Sequence, residues 1–224
     1  CPSSTPPAAR GFDQSYALVH GGSSHWSDGA GIVAADPAKP PKAIYRENGK
    51  EATLPKDFFS SDFFTSRLID YIDAGKDTGK PFFAYLAFTA PHWPLHAHDA
   101  DIARYEQRYK DGYDKLRRER LERMKKLGLV AADTPVFEGH PLWPKWDSLS
   151  AAEKESEARR MAVYAAMVDN MDQNIGRMLA YLKKTGQLDN TFIFFLSDNG
   201  ADGNSVYDVA RTREWIHKDM DNSI

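Results

Sequence analysis

A chain of 224 residues with 42% hydrophobic and 12% aromatic side chains can bury a sizeable core, as one large domain or two small ones, and is not a disordered chain. Its 29 Lys+Arg against 32 Asp+Glu leave a net charge of -3, which removes the electrostatic case for nucleic acid or an anionic membrane surface as the main partner. No stretch is long and apolar enough to span a bilayer, and a lone cysteine makes no internal disulfide, which fits a reducing compartment without excluding the periplasm. The chain shows no signal peptide but starts without a methionine, so localisation stays open between cytoplasm and periplasm.

In chain order, His20-Gly21-Gly22-Ser23-Ser24-His25-Trp26 reads as a flexible polar and aromatic loop, open equally to lining a pocket or to being a plain connection. Asp62 to Asp73 carries Phe63, Phe64, Leu68, Ile69 and Ile72 at helical spacing after a polar entry at Ser60-Ser61. Lys76 to Pro81 breaks that helix, and Phe82 to Phe88 follows as an aromatic, nearly uncharged strand. Asp99 to Lys126 predicts two charged surface helices broken near Asp111-Gly112, in which the basic run Lys115 to Arg120 is laced with acids as a solvated face. Asp133 to Trp146, with Pro135, Pro141 and Pro144, is a loop. A long helix from Ala151 to Lys184 bears an apolar stripe of Tyr164, Met167, Val168, Met171, Ile175, Met178 and Leu182, its methionines read as core filling. After Gly186, Thr191 to Leu196 predicts a second buried strand. Two such strands with long helical crossovers predict an α/β fold, a mainly parallel sheet with helices on both faces.

In a parallel sheet, function gathers at the carboxyl ends of the strands, and both predicted strands deliver polar residues there. The first runs into Thr89-Ala90-Pro91-His92-Trp93-Pro94-Leu95-His96-Ala97-His98, where two prolines stiffen the backbone around an imidazole suited to general acid or base work. The plainer alternative is a histidine that caps a loop. His96 and His98 read as surface loop residues that could touch substrate, and Trp93 either stacks on an aryl or sugar ring or packs under the loop. The second strand ends in Ser197-Asp198-Asn199-Gly200. A carboxylate and an amide beside a buried strand need partners, at a cost of about 2 to 7 kcal/mol for an unpaired group. Their oxygens suit a hard divalent cation such as Ca²⁺ or Mg²⁺, provided the chain turns at Gly200 so that neighbouring side chains share one ion. The plainer alternative is an ordinary Asn-Gly turn.

Four segments together carry a resemblance that spans nearly the whole chain: Arg10 to Asp13 (RGFD), Gly79 to Leu95 (GKPFFAYLAFTAPHWPL), Tyr164 to Arg177 (YAAMVDNMDQNIGR) and Leu188 to Ala201 (LDNTFIFFLSDNGA). In these the chain resembles the sulfatase family of the alkaline phosphatase superfamily, most closely its bacterial arylsulfatases. The resemblance implies hydrolysis of a small-molecule or glycan sulfate monoester by a formylglycine hydrate held at a calcium ion. It places Asp198 and Asn199 on two calcium ligands, and His92 on the histidine that contacts the sulfate ester near its leaving oxygen.

The chain also departs from that pattern. Formylglycine forms from Cys or Ser in C/S-x-P/A-x-R, whereas Cys1-Pro2-Ser3-Ser4-Thr5 lacks both the proline and the arginine, so Cys1 is not read as the precursor. In the family the Arg-Gly-Phe element follows the nucleophile, an aspartate pair and a Lys-x-His segment, none of them present here, and a further sulfate-binding lysine is expected beyond Ile224. The expectation is therefore a partial catalytic domain over residues 1–224, holding half of a calcium site and one catalytic histidine, and inactive by itself. A phosphonate or phosphate ester hydrolase of the same superfamily, a non-catalytic calcium- or sulfoglycan-binding module, and a plain α/β scaffold are the other readings. The sequence leaves the oligomeric state unread.

Overall fold

A computed structural model describes residues 6–19, 21–32, 42–139 and 144–200. The chain forms two compact units, one built from residues up to His96 and from Val168 onward, the other from Ala97–Met167. The described elements are a three-stranded sheet of β1 (Tyr16–Leu18), β2 (Tyr45–Glu47) and β3 (Lys50–Ala52), with helices α1 (Ser60–Gly75), α2 (Asp99–Ala103), α3 (Tyr113–Lys126) and α4 (Ala151–Lys184). Helices with one small sheet make an incomplete α/β core. None of these helices is long and apolar enough to cross a membrane.

The sheet is antiparallel throughout and comes from segments that hydrophobic patterning passes over. Its β2–β3 hairpin pairs Glu47 with Lys50 across the two-residue turn Asn48-Gly49, both at positive φ. Only a turn of that handedness matches the twist of the flanking strands, and Asn-Gly is the pair that adopts it most readily. Under the sheet, Ala43, Tyr45, Phe58 and Phe64 form a buried cluster, with Tyr16, Leu18, Phe63 and Leu86 packed around it. Its rings meet edge-on or tilted, Tyr16 with Phe63 at 4.8 Å and Tyr45 with Phe58 at 5.5 Å between centroids, the arrangement that aromatic quadrupoles favour.

The two segments expected as parallel strands make no ladder among the described residues. Along 82–88, Ala84, Leu86 and Phe88 are half-covered, while Phe83 and Tyr85 stand 81% and 70% exposed. Phe12 of the Arg-Gly-Phe-Asp element lies against Phe83, with ring centroids 5.9 Å apart. Along 192–196 both faces are open, Phe192 at 82% and Phe194 at 77% exposure. A strand apolar on both faces is built for the middle of a sheet, and the described residues supply neither neighbouring strand.

The long helix keeps its expected limits, Ala151–Lys184. Its covered face is rotated from the predicted stripe. Ala158, Ala162, Val163, Ala166, Met167 and Leu182 are buried, whereas Tyr164 and Val168 are exposed and Asn170 and Asn174 are buried in their place. Those amides explain the difference, because this part of α4 docks on α1 through polar groups. Asp62 Oδ1 accepts from Asn174 Nδ2 at 2.6 Å and from Asn170 Nδ2 at 3.2 Å. Arg177 donates to Asn174 Oδ1 at 2.6 Å and to Ser66 Oγ at 2.8 Å. One helical stretch further along, Tyr181 donates to Asp73 Oδ1 at 3.1 Å. The contacts advance together along both chains, so the two helices run parallel. Asp62 also sits in the first turn of α1, where the helix dipole favours a negative charge.

In the other unit, the break at Gly112 holds as predicted, but the first charged helix is only the five residues of α2. Gly112 has φ 86°, and its Cα faces the Trp146 ring so closely that a Cβ would lie 2.2 Å from a ring atom. Trp146 is buried, meets Tyr113 edge-on at 5.4 Å, and donates its backbone N–H to Asp114 Oδ2 at 3.1 Å. The chain leaves the predicted Asp133–Trp146 loop through a short 3-10 turn, Trp146–Ser148.

The Asp62 clamp predicts that Asn174→Ala, which strands a largely covered carboxylate, lowers stability by about 1–3 kcal/mol. Urea unfolding monitored by circular dichroism measures it, and an unshifted midpoint would show that the clamp carries no net stability.

Candidate functional site

The loop 89–96 leaves the Phe82–Phe88 segment and turns at once, the His92 N–H donating to the Thr89 carbonyl at 3.0 Å. The peptide bonds Ala90–Pro91 and Trp93–Pro94 are both cis. His92 is exposed, with its ring beside that of Trp93, centroids 5.7 Å apart. Its Nδ1 lies 2.6 Å from the Trp93 carbonyl. A carbonyl only accepts, so Nδ1 carries a hydrogen and Nε2 is left as the ring atom that exchanges a proton.

Beneath this loop lies a second histidine. His25 is fully buried, with 1% of its surface exposed. Its Nε2 donates to the His92 carbonyl at 3.0 Å, which makes Nδ1 an acceptor, and Ser60 Oγ at the start of α1 lies 2.7 Å from it. Thr89 Oγ1 sits 3.4 Å from the same nitrogen and 3.3 Å from Ser60 Oγ. The backbone closes the arrangement: Ser60 N–H donates to the His25 carbonyl at 3.0 Å, and His25 N–H donates to His96 Nδ1 at 3.3 Å. The rings of Phe59 and Trp26 pack at 4.6 Å beside it. Burial holds His25 neutral, its pKa pushed down to about 4, and pushes His96 down to about 3.

Asp198 and Asn199 form an exposed bend after the second apolar segment. Ser197 Oγ donates to the Asn199 carbonyl at 2.5 Å, and Asn199 Nδ2 donates to the Gly200 carbonyl at 2.8 Å, which leaves Asn199 Oδ1 as an acceptor. The chain therefore has left the strand path at this point, as shared use of two neighbouring side chains requires. One carboxylate oxygen pair and one amide oxygen, turned out of the core, are donors that a hard cation accepts. They are too few to hold it alone, and among the described residues no group of three or more His, Cys, Asp or Glu could hold a metal ion. No hydrogen bond or ion pair among the described residues joins this bend to His92.

Two sequence expectations change. His96 is not a surface residue: none of it is exposed, and its Nε2 has no hydrogen-bond partner among the described residues. The Ser23 to Trp26 stretch is not a flexible pocket lining either, because Ser23, Ser24 and His25 are buried and tied down, Ser23 Oγ to Tyr45 Oη at 2.7 Å and Ser24 Oγ to Asp28 Oδ2 at 3.0 Å. His20 lies outside the described residues. His98 is half-buried and serves α2, its carbonyl accepting from the Asp101 and Ile102 amides. The one signal that could have singled out His25 is its place between two serines and a tryptophan, a polar group set directly against a large apolar one.

Comparison with known proteins gives these residues a context. A family model described as Sulfatase matches residues 4–219. An uncharacterised sulfatase of Schizosaccharomyces pombe is 44% identical over 200 residues, 88% of this chain and 36% of that protein. An arylsulfatase of Klebsiella aerogenes is 37% identical over 217 residues, 97% of this chain and 46% of that protein. The multifunctional alkaline phosphatase superfamily protein PehA of Trinickia caryophylli is 34% identical over 167 residues, 67% of this chain and 29% of that protein. The chain thus spans less than half the length of each of these relatives.

The two buried imidazoles give stability a pH dependence of known sign. Unfolded, each takes up a proton near pH 6.5; folded, His25 resists until about 4 and His96 until about 3. The stability they confer is complete above pH 6.5 and drains away as pH falls through that window. The urea midpoint should therefore drop between pH 7 and pH 4.5, and drop less in His25→Gln. Equal losses in the two proteins would show that His25 does not titrate with folding.

Proposed function

Because the chain belongs to the sulfatase family, we propose that residues 1–224 are part of the catalytic domain of a longer sulfuric ester hydrolase of the arylsulfatase type. The observation that carries this reading is the exposed His92 ring with its Nδ1–H held on the Trp93 carbonyl. In the protonated ring, Nε2–H is the acid: it passes its proton to the alcohol or phenol oxygen as the sulfur–oxygen bond to that oxygen breaks. The Trp93 carbonyl, accepting from Nδ1, favours the cationic ring that has a proton to give. Trp93, beside the ring, offers an indole face for an aryl or sugar leaving group.

Asp198 and Asn199 would hold one side of a calcium ion, and their oxygen donors fit it. Bound there, calcium would supply positive charge for the sulfate oxygens and for a deprotonated nucleophile. The formylglycine that serves the family as nucleophile is not encoded in these residues, and no step is derived through it. The likeness to PehA keeps a phosphate or phosphonate ester as the second reading, and the same assay separates them.

In the full-length protein, His92→Ala should lower turnover of an aryl sulfate by about 10²- to 10⁴-fold, most for poor leaving groups, with calcium affinity retained. Asp198→Ala should weaken calcium binding in a calorimetric titration as well as activity. Unchanged calcium affinity in that variant would sink the ligand assignment, and faster turnover of phosphate or phosphonate esters than of sulfates would replace the substrate class. The 224-residue chain alone should turn over no sulfate ester.

A further inference from the structure

We infer that His25 is a positioning residue for His92, fixing the orientation and tautomer of the ring through the peptide between His92 and Trp93. The inference rests on the reading of His92 as the acid. Two consecutive carbonyls carry it. The His92 ring is held by the Trp93 carbonyl at 2.6 Å, and the peptide immediately before, through its His92 carbonyl, is held by His25 Nε2–H at 3.0 Å. Freeing the first carbonyl lets the peptide plane turn, and with it the second carbonyl that selects the Nδ1–H form of the ring.

His25 is equipped for this and for no direct contact with substrate. Its ring is buried, and its donor direction is determined from the other side, since Nδ1 must accept from Ser60 Oγ at 2.7 Å while Nε2 donates. Its backbone N–H takes up His96 Nδ1 at 3.3 Å, so that one residue grips the loop at both position 92 and position 96. Ser60 opens helix α1, and its own amide is anchored on the His25 carbonyl at 3.0 Å. The exposed imidazole thus inherits its placement from a helix terminus through one neutral buried ring.

The test uses the full-length enzyme and a series of aryl sulfates of rising leaving-group pKa. His25→Leu should lower kcat by about 10²-fold on the poorest leaving groups and far less on the best, with KM little changed, because a misplaced acid matters most where a proton is needed most. Combined with His92→Ala it should add almost nothing to the loss from His92→Ala alone. His25→Gln, whose Nε2 can still donate to the His92 carbonyl, should recover most of the rate. Ser60→Ala should show the same leaving-group pattern more weakly, and it carries the test if His25→Leu does not fold. Losses that multiply in the double variant, or that are equal across the series, would make His25 a scaffold residue and overturn the inference. If His92→Ala itself leaves the leaving-group dependence unaltered, the assignment of His92 as the acid fails first, and is recognised as that separate failure.

Discussion

A single neutral imidazole organises the most chemically distinctive part of this chain. Buried beyond reach of water, His25 cannot hold a charge cheaply, and a neutral ring has one donor and one acceptor to distribute. The His92 carbonyl takes the donor and the Ser60 hydroxyl feeds the acceptor, so neither can be exchanged without undoing the other. From that constraint follow the seat of the 89–96 loop, the tautomer of the exposed His92, and the burial of His96 against the His25 backbone.

The start of α1 is where this arrangement meets the rest of its unit. Ser60 turns to His25, Asp62 turns to the amides of Asn170 and Asn174, and Phe58, Phe63 and Phe64 enter the aromatic cluster beneath the small sheet. Four successive kinds of contact leave one helical turn in different directions. Polar groups in such a place stabilise only when each has its partner, and here they also set direction: the apolar cluster would tolerate a helix rotated by some degrees, whereas the Asp62 clamp and the Ser60–His25 bond would not.

Local signals were well legible where the physics is local. Helix α4 runs from Ala151 to Lys184 as its periodicity and flanking Gly186 indicate, and Gly112 breaks the charged helices as expected. The Asn48-Gly49 hairpin was equally local and equally visible, but its strands are only three residues long and present charged side chains, so hydrophobic patterning does not see them. Which face of α4 is covered was not legible, because Asn170 and Asn174 count as polar until their partner, Asp62, more than a hundred residues away, is known. The same holds at the site. His92 between two prolines announces itself, as do Asp198 and Asn199 at the end of an apolar run, but His25 acquires its meaning only from contacts with residues 35 and 67 positions further along. The parallel sheet is the opposite case: its strands are legible in composition, while their partners are not among the described residues.

That last point bears on how the chain would meet a protease. Phe192, Phe194, Phe195 and Leu196 would lie deepest in a completed sheet, yet here they stand in the open, on an irregular stretch of backbone that no ladder protects. Cleavage after an aromatic residue needs an accessible, extended segment of about this length, and the described chain offers it between a long helix and the Asp198 bend. The residues richest in apolar surface are thus the ones at which this polypeptide would first be cut, and the cut would separate Asp198 and Asn199 from the histidine loop.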